Sequence, residues 1–138
     1  MVNSDFWSGK RVLVTGHTGF KGAWLCIWLR ELGALVSGFS LEPTTSPALY
    51  DLAKLGETIT SHIGDIRSEA AIRQVIRTAE PEILIHMAAQ PLVITGYQEP
   101  YKTFNTNLKQ CDIILLKLVL KSCKLLFNIE SKIGNING

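Results

Sequence analysis

Arg11-Val12-Leu13-Val14-Thr15-Gly16-His17-Thr18-Gly19-Phe20-Lys21-Gly22 is the stretch that decides the fold of this 138-residue chain. Arg11 to Thr15 is a short, β-branched run introduced by the Ser8-Gly9-Lys10 turn, which predicts a first strand. Behind the glycines, Trp24, Leu25, Trp28, Leu29 and Leu32 recur at helical spacing and Gly33 follows, which predicts a helix over Phe20 to Leu32. Trp24 and Trp28, four residues apart, are expected to pack in the core of that helix rather than to offer a stacking platform. Gly16 permits a tight bend, Gly19 keeps side-chain atoms away from an approaching group, and Gly22 lets the helix lie close to the strand. A helix start offers free N–H groups and the positive end of a dipole, so this bend is a place for phosphates. A glycine-rich structural turn would share the composition. The position directly between strand and helix favours the phosphate-holding reading.

Working outward, Leu35 to Ser40 reads as strand two and Glu42 to Pro47 as a Pro/Thr-rich loop. Ser61 to Gly64 is a candidate strand three. Ser68 is placed to cap a helix running to about Thr78, which Pro81 ends. Ile83-Leu84-Ile85, inside Glu82 to Met87, reads as a buried strand four. Pro100 to Ser122 reads as mostly helical, and Leu125 to Ile129 as a fifth strand if the tail folds. Strands alternating with helices imply an α/β fold, a Rossmann-like doubly wound parallel sheet with right-handed crossovers. The sequence is expected to form a single dinucleotide-binding domain over residues 1–138, incomplete after about five strands. It reads as the front portion of something larger, with a substrate domain absent.

Composition narrows the function classes. Fourteen Lys+Arg against twelve Asp+Glu, net +2, is too balanced for a protein that lives on nucleic acid or an anionic membrane. The most apolar stretch, Ile113 to Phe127, is interrupted by Lys117, Lys121 and Lys124, and no export signal is laid out at the N-terminus. Three cysteines, Cys26, Cys111 and Cys123, make no CxxC pair and have no histidine at ligand spacing, so reduced thiols in a cytoplasmic protein and no metal site are expected. Residues 108–138 contain no Ala, Pro, Trp, Tyr or Arg and differ in character from the rest. Of the histidines, His17 is expected to turn its side chain outward from the bend, His62 to be an exposed strand residue, and His86 to be a hydrogen-bonded structural residue.

Two residues between the first two glycines, as in Thr15-Gly16-His17-Thr18-Gly19-Phe20-Lys21-Gly22, resemble the extended branch of the short-chain dehydrogenase/reductase superfamily, the NAD-dependent epimerases and dehydratases. Asp65-Ile66 after strand three is similar to that family's adenine-contacting acid. His86-Met87-Ala88-Ala89-Gln90 resembles its HxAA stretch beside the cofactor, and Asn107 matches an asparagine of its central helix. Lys21 and Gln90-Pro91-Leu92 are most similar to the CDP-glucose 4,6-dehydratases. The resemblance implies NAD held by Gly16, Thr18, Gly19, Phe20, Lys21, Gly22, Ser40, Asp65, Ile66, Ala88, Ala89, Gln90 and Asn107. It also implies a nucleotide-sugar substrate, CDP-glucose, and a homodimer built partly on the helix holding residues 103 to 121. In such enzymes NAD oxidises the sugar at C4, which acidifies the C5 hydrogen and makes loss of water feasible. With no arginine between Glu31 and Ile66 to meet a 2′-phosphate, NAD is favoured over NADP. Ser40 stands where an acid usually meets the ribose, and Glu42 is either its substitute or a solvated loop acid.

The match ends in the tail. The family's catalytic tyrosine and lysine, spaced YxxxK, have no counterpart at the expected place. Tyr50-Asp51-Leu52-Ala53-Lys54 has the spacing but follows strand two, so no catalytic residue is assigned. Where the family carries a threonine after strand five, this chain has Glu130 followed by Ser131. A glycine of the central helix is replaced within Asn107-Leu108-Lys109-Gln110-Cys111. Three readings stay open: the front part of a CDP-glucose 4,6-dehydratase, another nucleotide-sugar epimerase or dehydratase, and a non-catalytic NAD-binding remnant.

Overall fold

A computed structural model describes residues 4–89 and 97–106. Four strands form one parallel sheet in the order β3-β2-β1-β4. They are β1 (Arg11–Thr15), β2 (Leu35–Ser40), β3 (Thr60–Ile63) and β4 (Ile83–His86). Among the described residues, helices accompany them at α1 (Ser4–Trp7), α2 (Phe20–Glu31), α3 (Leu49–Leu52), α4 (Leu55–Thr58), α5 (Glu69–Ala79) and α6 (Pro100–Phe104). β1 and β2 fall where the sequence places them, while β3 begins and ends one residue earlier. The segment after β2 carries two short helices, α3 and α4, that the sequence pattern does not announce. The expected fifth strand and most of the expected 100–122 helix lie outside the described residues.

The alternation along β1 explains why the sheet is covered on both faces. Val12 and Val14 point to one face, into a cluster with Ala23, Cys26 and Leu29 of α2 and Val36 of β2. Leu13 points to the other, into a cluster with Phe39 of β2, Ile66, and Ile72, Val75 and Ile76 of α5. A central strand buried on both faces needs apolar side chains at successive positions, which is what Val12-Leu13-Val14 supplies. Their register places Val12 beside Val36 and Ile83, and Val14 beside Gly38 and Ile85.

The ends of the long helices follow their local chemistry. The Ser68 hydroxyl accepts the Ala71 N–H at 3.3 Å and caps α5. Glu80 takes a left-handed conformation at its C-terminus, and Pro81 follows. Gly33, with φ +85°, ends α2 and returns its N–H to the Arg30 carbonyl.

The expectation for α2 is corrected in one respect. Trp24 and Trp28 are not core residues; they are 54% and 52% exposed. The face turned to the sheet is Gly22, Ala23, Cys26 and Leu29, a small-residue face that lets the helix axis come near the strands. At about 100° per residue, Trp24 and Trp28 then fall to the side. Cys26 is fully buried, and burial pushes its thiol up to about 12, so it is an inert packing residue. Cys111 and Cys123 lie outside the described residues. Among the described residues no helix is long and apolar enough to cross a membrane.

Ile72 is 1% exposed, and its truncation leaves a cavity beneath α5. Ile72→Ala is expected to cost about 2–5 kcal/mol in denaturant unfolding. Trp28→Ala is expected to stay within about 1 kcal/mol of the parent chain. Equal losses for the two would contradict the face assignment of α2.

Candidate dinucleotide-binding site

The site is built where β1 stops. Gly16 has φ +78°, a conformation that side-chain-bearing residues avoid, and its N–H bonds the Phe39 carbonyl at 2.9 Å, so the bend begins while still attached to β2. A Cβ on Gly16 would lie 2.8 Å from the Ala88 nitrogen. The bend is thus pressed against the chain that leaves β4. The first turn of α2 then comes back over it. A Cβ on Gly22 would stand 2.1 Å from the Gly16 carbonyl oxygen, closer than any real contact. Two of the three glycines are therefore demanded by the protein's own backbone.

Gly19 is different. Its backbone is extended (φ −72°, ψ 158°), open to any residue, and a Cβ there would meet nothing closer than the Gly16 oxygen at 3.4 Å. The fold does not need glycine at this position, whereas a group resting against the main chain does. Gly19 is the N-cap of α2 with no side chain capping the helix, and the first turn holds Lys21 and no acid. Unpaired N–H groups, a helix dipole and one lysine make this end of α2 electropositive. These residues fit the diphosphate of a dinucleotide.

Thr15 ties β1 to the exit of β4 at this edge. Its hydroxyl oxygen accepts the N–H groups of Met87 at 3.1 Å and Ala88 at 3.3 Å, and its proton goes to His86 Nδ1 at 2.6 Å. With Nδ1 accepting, the His86 ring proton sits on Nε2. Burial holds the His86 pKa below its usual value, so the ring is neutral, in keeping with the expected structural role. On the β2 side, Thr18 donates to the Leu41 carbonyl at 2.8 Å, which leaves Ser40 as the donor in the 2.7 Å contact between the two hydroxyls. Ser40 therefore faces the bend at the strand end where a ribose would pass.

His17 reverses its expectation: the side chain is 0% exposed, turned inward rather than outward. Its Nε2 lies 2.7 Å from Ser61 Oγ on β3, which in turn lies 2.9 Å from the Tyr50 hydroxyl on α3. The His17 and Tyr50 rings meet edge to face with centroids 5.4 Å apart. A Cβ on Gly38 would be 2.3 Å from the imidazole, so β2 has a gap where the ring fits. Burial drives the His17 pKa down to about 4. His62 is half-buried rather than exposed, with Nε2 unpartnered among the described residues. This polar cluster was not legible beforehand; a glycine inside a strand is its one sequence signal, because such a glycine marks a close approach.

The other expected residues are placed as follows. Phe20 and Lys21 are exposed at the helix start. Asp65 follows β3 at the same sheet edge, while the Ile66 side chain is in the core, leaving only its main chain at the surface. Ala88 and Ala89 follow β4 beside Gly16. Gln90 and Asn107 lie outside the described residues. Among the described residues no cluster of three or more His, Cys, Asp or Glu could hold a metal ion.

Known proteins resemble this chain in sequence and fold. The family described as GDP-mannose 4,6 dehydratase matches residues 13–128. The chain belongs to this dehydratase family. Over 107 residues it is 51% identical to CDP-glucose 4,6-dehydratase of Salmonella typhimurium, an alignment covering 78% of this chain and 30% of that protein. It is 30% identical over 107 residues to a GDP-mannose 4,6-dehydratase of Sordaria araneosa, covering 78% of this chain and 20% of the relative. The chain thus spans about a third or less of the curated relatives it matches. Among solved structures, UDP-glucose 4-epimerase of Thermus thermophilus in complex with NAD superposes with a TM-score of 0.66 at 25% identity, over 75% of this chain and 32% of that one. The Rossmann-like fold is that of the dehydratase family's structural neighbours.

The His17 pKa has a consequence for stability. The unfolded chain takes up a proton near pH 6.5 and the folded chain only near 4. Stability is therefore full above about pH 6.5 and declines as pH falls towards 4, by about 3 kcal/mol at most. The lowered pKa of His86 acts in the same direction. Chemical denaturation between pH 7 and 4 is expected to show this decline and His17→Gln to flatten part of it; an unchanged slope in the variant would contradict a buried neutral His17.

Proposed function

We propose that this chain is the cofactor-binding front part of a nucleotide-sugar 4,6-dehydratase, that it holds NAD across the carboxyl edge of its sheet, and that the whole protein acts on CDP-glucose. The observation that carries the reading is the exposed Gly19, a glycine the fold itself does not require, at the uncapped start of α2. The 51% identity to a CDP-glucose 4,6-dehydratase, against 28–29% to UDP-glucose 4-epimerases, favours dehydration over epimerisation.

The residues divide the work by position. The N–H groups of the α2 start and Lys21 take the diphosphate. Ser40, its proton held by Thr18, offers a hydroxyl oxygen as an acceptor to the adenosine ribose at the end of β2. Ala88, pinned to β1 through Thr15, and Ala89 after it wall the side where the nicotinamide half would lie. Bound NAD would supply the hydride acceptor for C4 of the sugar and later the hydride donor for C6. The proton chemistry at the sugar needs a base that these residues do not furnish. Tyr50, the one tyrosine at YxxxK spacing, has its hydroxyl on Ser61 inside the His17 cluster, away from the crevice. The chain by itself is read as a binding unit without turnover.

Thermal unfolding with NAD tests this. NAD at millimolar concentration is expected to raise the midpoint by several degrees, because a ligand that binds only the folded state adds stability with its concentration. Gly19→Val is expected to keep the midpoint of the free chain and lose the response to NAD. A full response in that variant, or no response in the parent chain, would contradict the proposal.

A further inference from the structure

Asp65 lies just beyond the carboxyl end of β3, the outermost strand on this side of the sheet. A dinucleotide whose diphosphate rests on the α2 start, and whose ribose passes the end of β2, carries its base outward over β3. This placement rests on the dinucleotide reading of the glycine bend. An anionic carboxylate accepts hydrogen bonds and cannot donate them. At that position it suits the exocyclic amino group of a 6-aminopurine and disfavours a 6-oxo group.

Both oxygens of that carboxylate are already engaged. Oδ1 accepts the Arg67 main-chain N–H at 2.8 Å and its Nε at 3.0 Å; Oδ2 accepts Nε at 2.9 Å and Nη2 at 2.5 Å. A carboxylate offers about four lone-pair sites, and Arg67 brings three N–H groups to them, with the Nε–H shared between the two oxygens. The guanidinium is itself partly exposed. Arg67 is therefore bonded to the carboxylate that a purine would use.

We propose that Arg67 competes with the purine amino group for the Asp65 carboxylate and so sets how far the base contributes to dinucleotide affinity. When the base arrives, the guanidinium gives up Asp65 and turns to solvent, to which it is already partly exposed. The cost is that of opening a partly exposed ion pair, a factor of about two to five in affinity. Arg67 is on this account a specificity-determining residue that acts through Asp65.

The test titrates the full chain with NAD and with nicotinamide hypoxanthine dinucleotide, which carries a 6-oxo group in place of the amino group. The readout is the ratio of the two affinities, which cancels any general effect of removing a positive charge near the phosphates. Arg67→Ala is expected to raise the preference for NAD by about two- to five-fold over the parent chain. Asp65→Ala is expected to remove the preference, and adding Arg67→Ala to it is expected to change nothing further. A ratio that stays the same or falls in Arg67→Ala would overturn the proposal, as would a preference that survives in Asp65→Ala. A parent chain that binds neither dinucleotide would refute the reading of the glycine bend itself, a failure visible before any variant is made.

Discussion

The contact between the start of α2 and the end of β1 is the constraint from which the rest follows. Gly22 approaches the Gly16 carbonyl so closely that one methyl group would separate helix from strand. Because the two touch, α2 can lie flat on the sheet on its small face of Gly22, Ala23, Cys26 and Leu29. Because α2 begins there, its unpaired N–H groups open at the carboxyl edge of the central strand. The packing requirement and the anion-binding surface come from the same few atoms.

The edge around that contact is held from three sides by side chains of the bend and its strand. Thr15 fixes the exit of β4 through two N–H groups and the His86 ring. Thr18 joins the end of β2 through Ser40 and Leu41. His17 reaches across Gly38 to Ser61 and Tyr50, so β3 and α3 are bound to the same loop. Each of these ties runs from β1 or the bend to another element, while Gly19 and the helix start are exposed. A bend pinned in this way keeps its shape before a ligand arrives, which lowers the ordering cost of binding.

What could be read in advance was set by periodicity and backbone chemistry. β1 and β2, the capping Ser68, the αL Gly33 and the glycine bend all carry strong local signals, and each stands where those signals place it. Trp24 and Trp28 misled because hydrophobic spacing identifies a stripe without saying which edge of it meets the sheet. Close helix packing selected the smaller side chains instead. His17 misled because a polar residue in a turn is usually solvated, and its pocket is formed by Gly38 and Ser61, residues distant in sequence. The Arg67 fork on Asp65 was equally hidden, since i, i+2 neighbours meet only in a turn whose shape the sequence does not state. α3 and α4, each a single turn, are too short to show a period.

The most direct measurement of the central claim is a backbone amide NMR titration of the chain with ADP-ribose, which carries the diphosphate and adenosine without the nicotinamide. The account predicts that the largest shifts fall on Gly19, Phe20, Lys21 and Gly22, with smaller ones at Ser40 and Asp65. Shifts absent from the α2 start, or centred on the opposite edge of the sheet near Arg11, Leu35 and Thr60, would contradict it.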